Sequence, residues 1–170
     1  MPASTSPAPT TNNGERANEG GDQPFEFPLD EITEGITICH REDAHQVYGG
    51  RGRNGRNVRT TRPGTRGWLG NPHKLTENTD RATVIAQFVP AFYGRLRSDP
   101  ESRAALLDLP GKRVACWCRH ADEDRPHCHL DVIDHFLRGG RMFVREFLRH
   151  DLRRDLRRED DGTVTVVTAP

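Results

Sequence analysis

Residues 112–137, KRVACWCRHADEDRPHCHLDVIDHFL, decide how the rest of the chain is read. After a turn at Gly111, Lys112 to Cys118 form a short apolar run with the length of a strand, and Leu130, Ile133, Phe136 and Leu137 recur at helical spacing before Gly139-Gly140. Strand, loop and helix in that order are the repeating unit of a parallel sheet. Upstream, Gly35-Ile36-Thr37-Ile38-Cys39 is β-branched and bounded by glycine, which predicts a first strand ending at Cys39 and His40, with a shorter one near Gln46-Val47-Tyr48.

Two helices are expected between these strands and the one at 112–118. Thr79 or Asp80 can cap the first, whose apolar positions Ile85, Phe88, Val89, Phe92, Tyr93 and Leu96 follow the helical rule. Pro90 predicts a kink or restart within it. Asp99-Pro100-Glu101 opens the second, and Pro110 follows its end. A last helix is expected over about 142–158, with Phe143, Phe147, Leu148, Leu152 and Leu156 on one face and arginines as a solvated face opposite. The predicted architecture is therefore α/β: a small three-layer, mainly parallel, Rossmann-like sheet with flanking helices.

Composition sets the organisation around that domain. Residues 1–30 are rich in Pro, Ser, Thr, Asn and Gly and read as a disordered polar tail, residues 35–158 as a single α/β domain, and residues 159–170 as a C-terminal tail or edge strand. The opening segment has no apolar run that would serve as a signal sequence, and no stretch has the length and apolarity of a membrane helix, so a cytoplasmic protein without membrane contact is expected. In that reducing setting the four cysteines suit metal binding or catalysis better than disulfides. The 25 Lys and Arg balance 25 Asp and Glu, which removes any global pull toward nucleic acid. The distribution is uneven, however. Residues 41–75 carry eight Arg or Lys against Glu42 and Asp43 alone, a local anion-attracting segment.

Three candidate chemistries arise from the residues. Cys116 and Cys118, followed by Cys128 and His129, supply the thiolates and imidazole that fill four tetrahedral positions around zinc. Alternatively Cys128, at the start of a helix whose amides would lower its thiol pKa, serves as a nucleophile or ligand group with His129 as its partner. Asp131 would then orient a hydroxyl, accept a proton or simply cap the helix. The third reading is that buried cysteines on a central strand are packing residues. Cys39, at another strand end, would join the others at one sheet edge if the strands are parallel and close.

The segment 49–72, GGRGRNGRNVRTTRPGTRGWLGNP, has neither helical nor alternating period and reads as a long loop, solvated or functional. Arg51 and the Gly70-Asn71 backbone are candidates for holding phosphate, and Trp68 either stacks on a base or anchors the core. No Walker or dinucleotide fingerprint is present.

Tyr48-Gly49-Gly50-Arg51, Trp68-Leu69-Gly70-Asn71-Pro72, the helix around Ile85 to Leu96, and Cys116-Trp117-Cys118 followed by Cys128-His129-Leu130-Asp131 occur in an order that resembles the bacterial and phage family called domain of unknown function 4326, over about residues 36–138. The resemblance implies a small α/β domain found in phage and mobile-element settings, with no activity attached. The loop between Arg51 and Trp68 and the gap from Cys118 to Cys128 are both longer here than the resemblance leads one to expect. Two functions follow as expectations. One is an enzyme or binding domain for a nucleotide, nucleoside or related phosphorylated ligand, by group transfer or glycosidic-bond chemistry. The other is a non-enzymatic zinc-stabilised module that binds nucleic acid or protein through the arginine-rich loop and last helix.

Overall fold

A computed structural model describes residues 27–29, 32, 34–119 and 127–170. Most of the tail expected over 1–30 lies outside these residues. Phe27 and Leu29, at its end, pack on the core, with the Phe27 ring edge-on to Phe136 at 5.2 Å.

The centre is a three-stranded sheet of β1 (Thr37–His40), β2 (Val47–Tyr48) and β3 (Arg113–Cys116), in the order β1-β3-β2 and parallel throughout. The register pairs His40 with Cys116 and Tyr48 with Ala115, so the carboxyl ends of all three strands meet along one edge. The parallel sheet is thus as expected, and it is small. Side chains alternate across a strand. Cys39 pairs with Ala115 rather than with Cys116, which puts its thiol on the opposite face of the sheet from Cys116. Cys39 therefore stays out of the cysteine cluster expected at that edge.

Helix α1 (Arg81–Ser98) and helix α2 (Pro100–Leu107) carry the chain from β2 back to β3. Asp80 caps α1 by accepting from the Thr83 amide, and Asp99 caps α2 by accepting from the Glu101 amide, with Pro100 in the first turn. Pro90 neither ends nor restarts α1, which runs through it. The amide it lacks costs one backbone hydrogen bond, and the buried Phe88, Val89 and Phe92 around it offset that loss.

Helix α3 (His129–His150) starts where expected, and its first helical stretch ends, as expected, at Gly139-Gly140. The chain breaks helical geometry at that pair and resumes, with Gly140 at φ 65°, a left-handed conformation that favours glycine, and with Leu29 where a Cβ would sit. The helix expected over 142–158 needs a larger correction. It ends at His150, Arg153 takes φ 54°, and β4 (Arg154–Arg158) pairs antiparallel with β5 (Val164–Thr168) as a separate hairpin. Leu152 and Leu156 mimic helical spacing, but Leu156 reaches the core as a strand residue opposite Val166. The β-branched run at 163–167 supplies that partner, so the stretch left open as tail or edge strand is a paired strand.

Arg154 fastens the hairpin to α1 by pairing with Asp80 and donating to Thr83 Oγ1 at 3.1 Å. The Thr83 amide, ahead of the Arg154 contact, holds the Asp80 carboxyl below its ordinary value of 3.8. Asp80→Ala should cost about 1 kcal/mol, the typical value of an N-cap. A depressed carboxyl pKa contributes stability that is present above the unfolded value and lost as pH falls through the folded one. The difference between wild type and Asp80→Ala should therefore be full at neutral pH and shrink in acid, as read from urea midpoints across that range.

The long loop is exposed over most of 51–66 but is tied to the core. Val58 is buried, its amide donates to Gly70 O at 2.9 Å, and Arg95 donates to the Thr61 carbonyl at 3.4 Å. The arginines remain outside while Val58, Thr61, Trp68 and Leu69 turn inward.

Candidate metal centre and ligand cavity

Cys116 is the last residue of β3, Cys118 follows in a turn, and Cys128 is the N-cap of α3 with His129 as its first residue. The strand end and the helix start thus deliver two thiols and one imidazole to a single point, with the Cys118 thiol nearby. The Cys128 Sγ accepts from the Leu130 amide at 3.3 Å, and Asp131 Oδ2 accepts from the Cys128 amide at 2.6 Å, a reciprocal capping box. Asp131 also meets Arg119 at 3.5 Å, and burial pushes its carboxyl pKa up. Of its three expected roles, capping is the one its contacts express.

One ligand atom each from Cys116, Cys128 and His129 lies within 4.8 Å of the others, and all three residues are buried. With zinc–sulfur bonds of about 2.3 Å and zinc–nitrogen bonds of about 2.0–2.1 Å, tetrahedral ligand atoms stand roughly 3.5–3.8 Å apart. Only a small contraction separates this cluster from that geometry. Cys118, half-buried, donates its amide to Cys116 Sγ at 3.4 Å and lies beside this three-residue group rather than within it. His120, inside the loop to Cys128, lies outside the described residues. His127 packs its ring edge-on to Phe147 at 5.2 Å.

The imidazole is held in one tautomer. His129 Nε2 is 3.0 Å from the Gly49 carbonyl, and because a carbonyl only accepts, Nε2 must carry the proton. In neutral His129 the lone pair is then on Nδ1, which lies 4.0 Å from Cys116 Sγ. A backbone carbonyl that orients a histidine in this way is the usual outer support of a metal-ligating imidazole. Phe88 fixes the ring from the side, edge-on at 5.1 Å. Gly49 is itself placed by its amide, which donates to Ala115 O at 2.7 Å, and a Cβ there would lie 2.7 Å from Leu130 Cδ2.

The thiols share charge unequally. Hydrogen bonds from Cys118, then from Cys128, draw the Cys116 thiol down to about 4. The same contacts push Cys118 up to about 12 and Cys128 well above its ordinary value. The low-pKa thiol is therefore Cys116. The expected activation of Cys128 by its helix amides is overridden by Cys116, by burial and by Asp131.

The cluster forms the floor of a cavity of about 280 Å³. Arg51 and Asn71 line it, as do Tyr48, His73, Arg81 and Trp117. Arg51 donates to the carbonyls of His73 at 2.9 Å and Asn71 at 3.4 Å, which ties the loop to the mouth of the cavity. The Asn71 side chain is fully used, donating to Val84 O and accepting from the His73 amide, both at 2.9 Å. The Gly70 amide donates to Gly67 O at 2.9 Å, and the backbone of Gly50 and Arg51 occupies the space of a Cβ on Gly70. Asn71 thus belongs to the wall, and Gly70 lies behind it against the backbone of Gly50 and Arg51. Trp68 is buried in the core and does not line this cavity.

Arg81, to which no local sequence signal points, is the first residue of α1, and its charge helps to lower the Cys116 thiol. Only the placement of α1 against β3 reveals it. The Gly49 carbonyl is equally invisible in a sequence, although Tyr48-Gly49-Gly50-Arg51 marks the place.

Comparison with family models matches residues 38–139, a span that contains every residue of the cluster. The chain belongs to the family described as domain of unknown function 4326. No curated protein and no solved structure matches it significantly. Within the 4326 domain the two motifs build one place. The Cys and His motif supplies the thiols and imidazole, and Asn71 of the Gly70-Asn71-Pro72 turn, tied to α1 through Val84, lines the adjoining wall.

Proposed function

We propose that this domain holds one zinc ion on Cys116, Cys118, Cys128 and His129, and that the cavity above it binds a nucleotide, nucleoside phosphate or related phosphorylated ligand. The observation that carries the proposal is the His129 contact to the Gly49 carbonyl, which leaves Nδ1 beside two buried thiols. When bound, zinc would neutralise the thiolates and act as a Lewis acid toward a ligand oxygen. Among the described residues no carboxylate lines the cavity, whereas Arg51 and Arg81 do, which suits an anionic ligand. The half-exposed position of Cys118 makes it the zinc donor a ligand would displace most readily. The crossover from β2 through α1 and α2 to the parallel β3 supports reading the sheet as a reduced Rossmann-like one. All four cysteines are free and no described helix is long and apolar enough to cross a membrane, which supports a reducing, cytoplasmic setting.

Purified protein should contain about one zinc per chain by elemental analysis. In a thermal-shift screen a nucleoside monophosphate should raise the melting temperature, and Arg81→Ala should weaken that binding roughly tenfold or more, as loss of a charge-assisted hydrogen bond does. Zinc-free protein would remove the metal reading, and equal affinity in Arg81→Ala would remove the anion-binding one.

A further inference from the structure

The mouth of the cavity is more basic and more aromatic than a small free ligand requires. Trp117 lines it while remaining 50% exposed, and the Arg41 guanidinium lies 3.3 Å from its ring centroid. Arg66 sits 4.4 Å from the ring centroid of Tyr48, a residue shared between this cavity and a neighbouring pocket that Arg66 lines. Arg51 and Arg81 line the opening, and Arg41 stands beside it on Trp117. Glu42 meets Arg41 at 3.5 Å, but it is a largely exposed partner whose attraction is weak in water.

Guanidinium and indole stacked together, with further arginines spaced around them, present a flat surface for a base and charges for the phosphates on either side. That is the recognition chemistry of single-stranded nucleic acid, in which bases stack on aromatic and arginine planes and cations track the backbone. We infer that the cavity receives one nucleotide of a single strand, and that the neighbouring base stacks on the Arg41–Trp117 pair at its mouth. The inference rests on the reading of the cavity as a nucleotide site and adds that the ligand is polymeric. A duplex would not serve, since its bases are already stacked and paired.

The test uses the zinc-replete full chain and its own fluorescence. The protein has two tryptophans, of which Trp68 is buried, so quenching by a ligand reports on Trp117. A short oligothymidylate and a short oligouridylate are titrated against thymidine and uridine monophosphate. An oligonucleotide of at least one type should quench the fluorescence and bind about tenfold or more tightly than its monophosphate, in keeping with one added stacked base. Comparison of the two strands assigns DNA or RNA. Its affinity should fall with salt by about 0.7 logarithmic units per phosphate contact for each tenfold rise. Arg41→Ala, an exposed change outside the cavity lining, should abolish most of the oligonucleotide advantage and leave monophosphate binding as it was.

Equal binding of monophosphate and oligonucleotide would overturn the inference while the nucleotide cavity stands. Binding of neither would overturn both. Heparin that quenches and competes as well as the oligonucleotides would show attraction for any polyanion and would also overturn it, as would an Arg41→Ala variant with unchanged oligonucleotide affinity.

Discussion

Cys116→Ser should release the zinc and lower the melting temperature by about 10 °C or more, because metal held only by the folded state contributes its binding energy to folding. Cys116 is the most consequential of the thiols. It is the one that both Cys118 and Cys128 address, and it ends the central strand of the sheet. Serine is a poor zinc ligand, and at this site it would leave a buried hydroxyl among two thiols and an imidazole. Elemental analysis and a thermal melt read the two consequences separately. Cys39→Ser is the informative control: Cys39 is also buried at a strand end, but on the other face of the sheet, so its variant should keep the metal. A Cys116→Ser protein that retained zinc or melted like wild type would sink the proposed centre.

Phe88→Ala should destabilise the domain by about 3–5 kcal/mol, the usual range for removing a large aromatic from a closed core. Phe88 is fully buried, stacks on Phe92 at 5.6 Å between centroids, and meets the His129 ring edge-on at 5.1 Å. The substitution should show as a lower urea midpoint at an unchanged slope. A second effect separates this site from an ordinary core position. Without Phe88 the His129 ring loses its lateral support, so zinc should be stripped by a chelator more readily than from wild type. Phe136→Ala provides the comparison, since Phe136 is equally buried but packs on Phe27, Phe92 and Tyr93. Equal chelator resistance in the two variants would show that Phe88 does not support the imidazole.

Local signals in the chain were enough for the strands and helices up to His129 and for the residues of the Cys and His cluster. Short β-branched or apolar runs with glycine before them marked β1 and β3, and Asp80 and Asp99-Pro100 announced α1 and α2, because these signals act within a few residues of chain. The set Cys116, Cys118, Cys128 and His129 was legible because thiols and imidazoles so close in sequence have few other uses. Long-range packing governed the rest. Leu152 and Leu156 satisfy helical spacing, and only pairing with Val164–Thr168 makes Arg154–Arg158 a strand. Cys128 lies at a helix N-terminus as expected, yet its thiol is raised because the strand-end Cys116, brought beside it by the fold, takes the charge. The close approach of Gly70 to the Arg51 backbone and the Asn71 bond to Val84 O are contacts that only the folded loop shows. Arg81 and the Gly49 carbonyl enter the site through the packing of α1 and β2 against β3 and α3, and residues from four separate elements converge there only once the sheet has set its register.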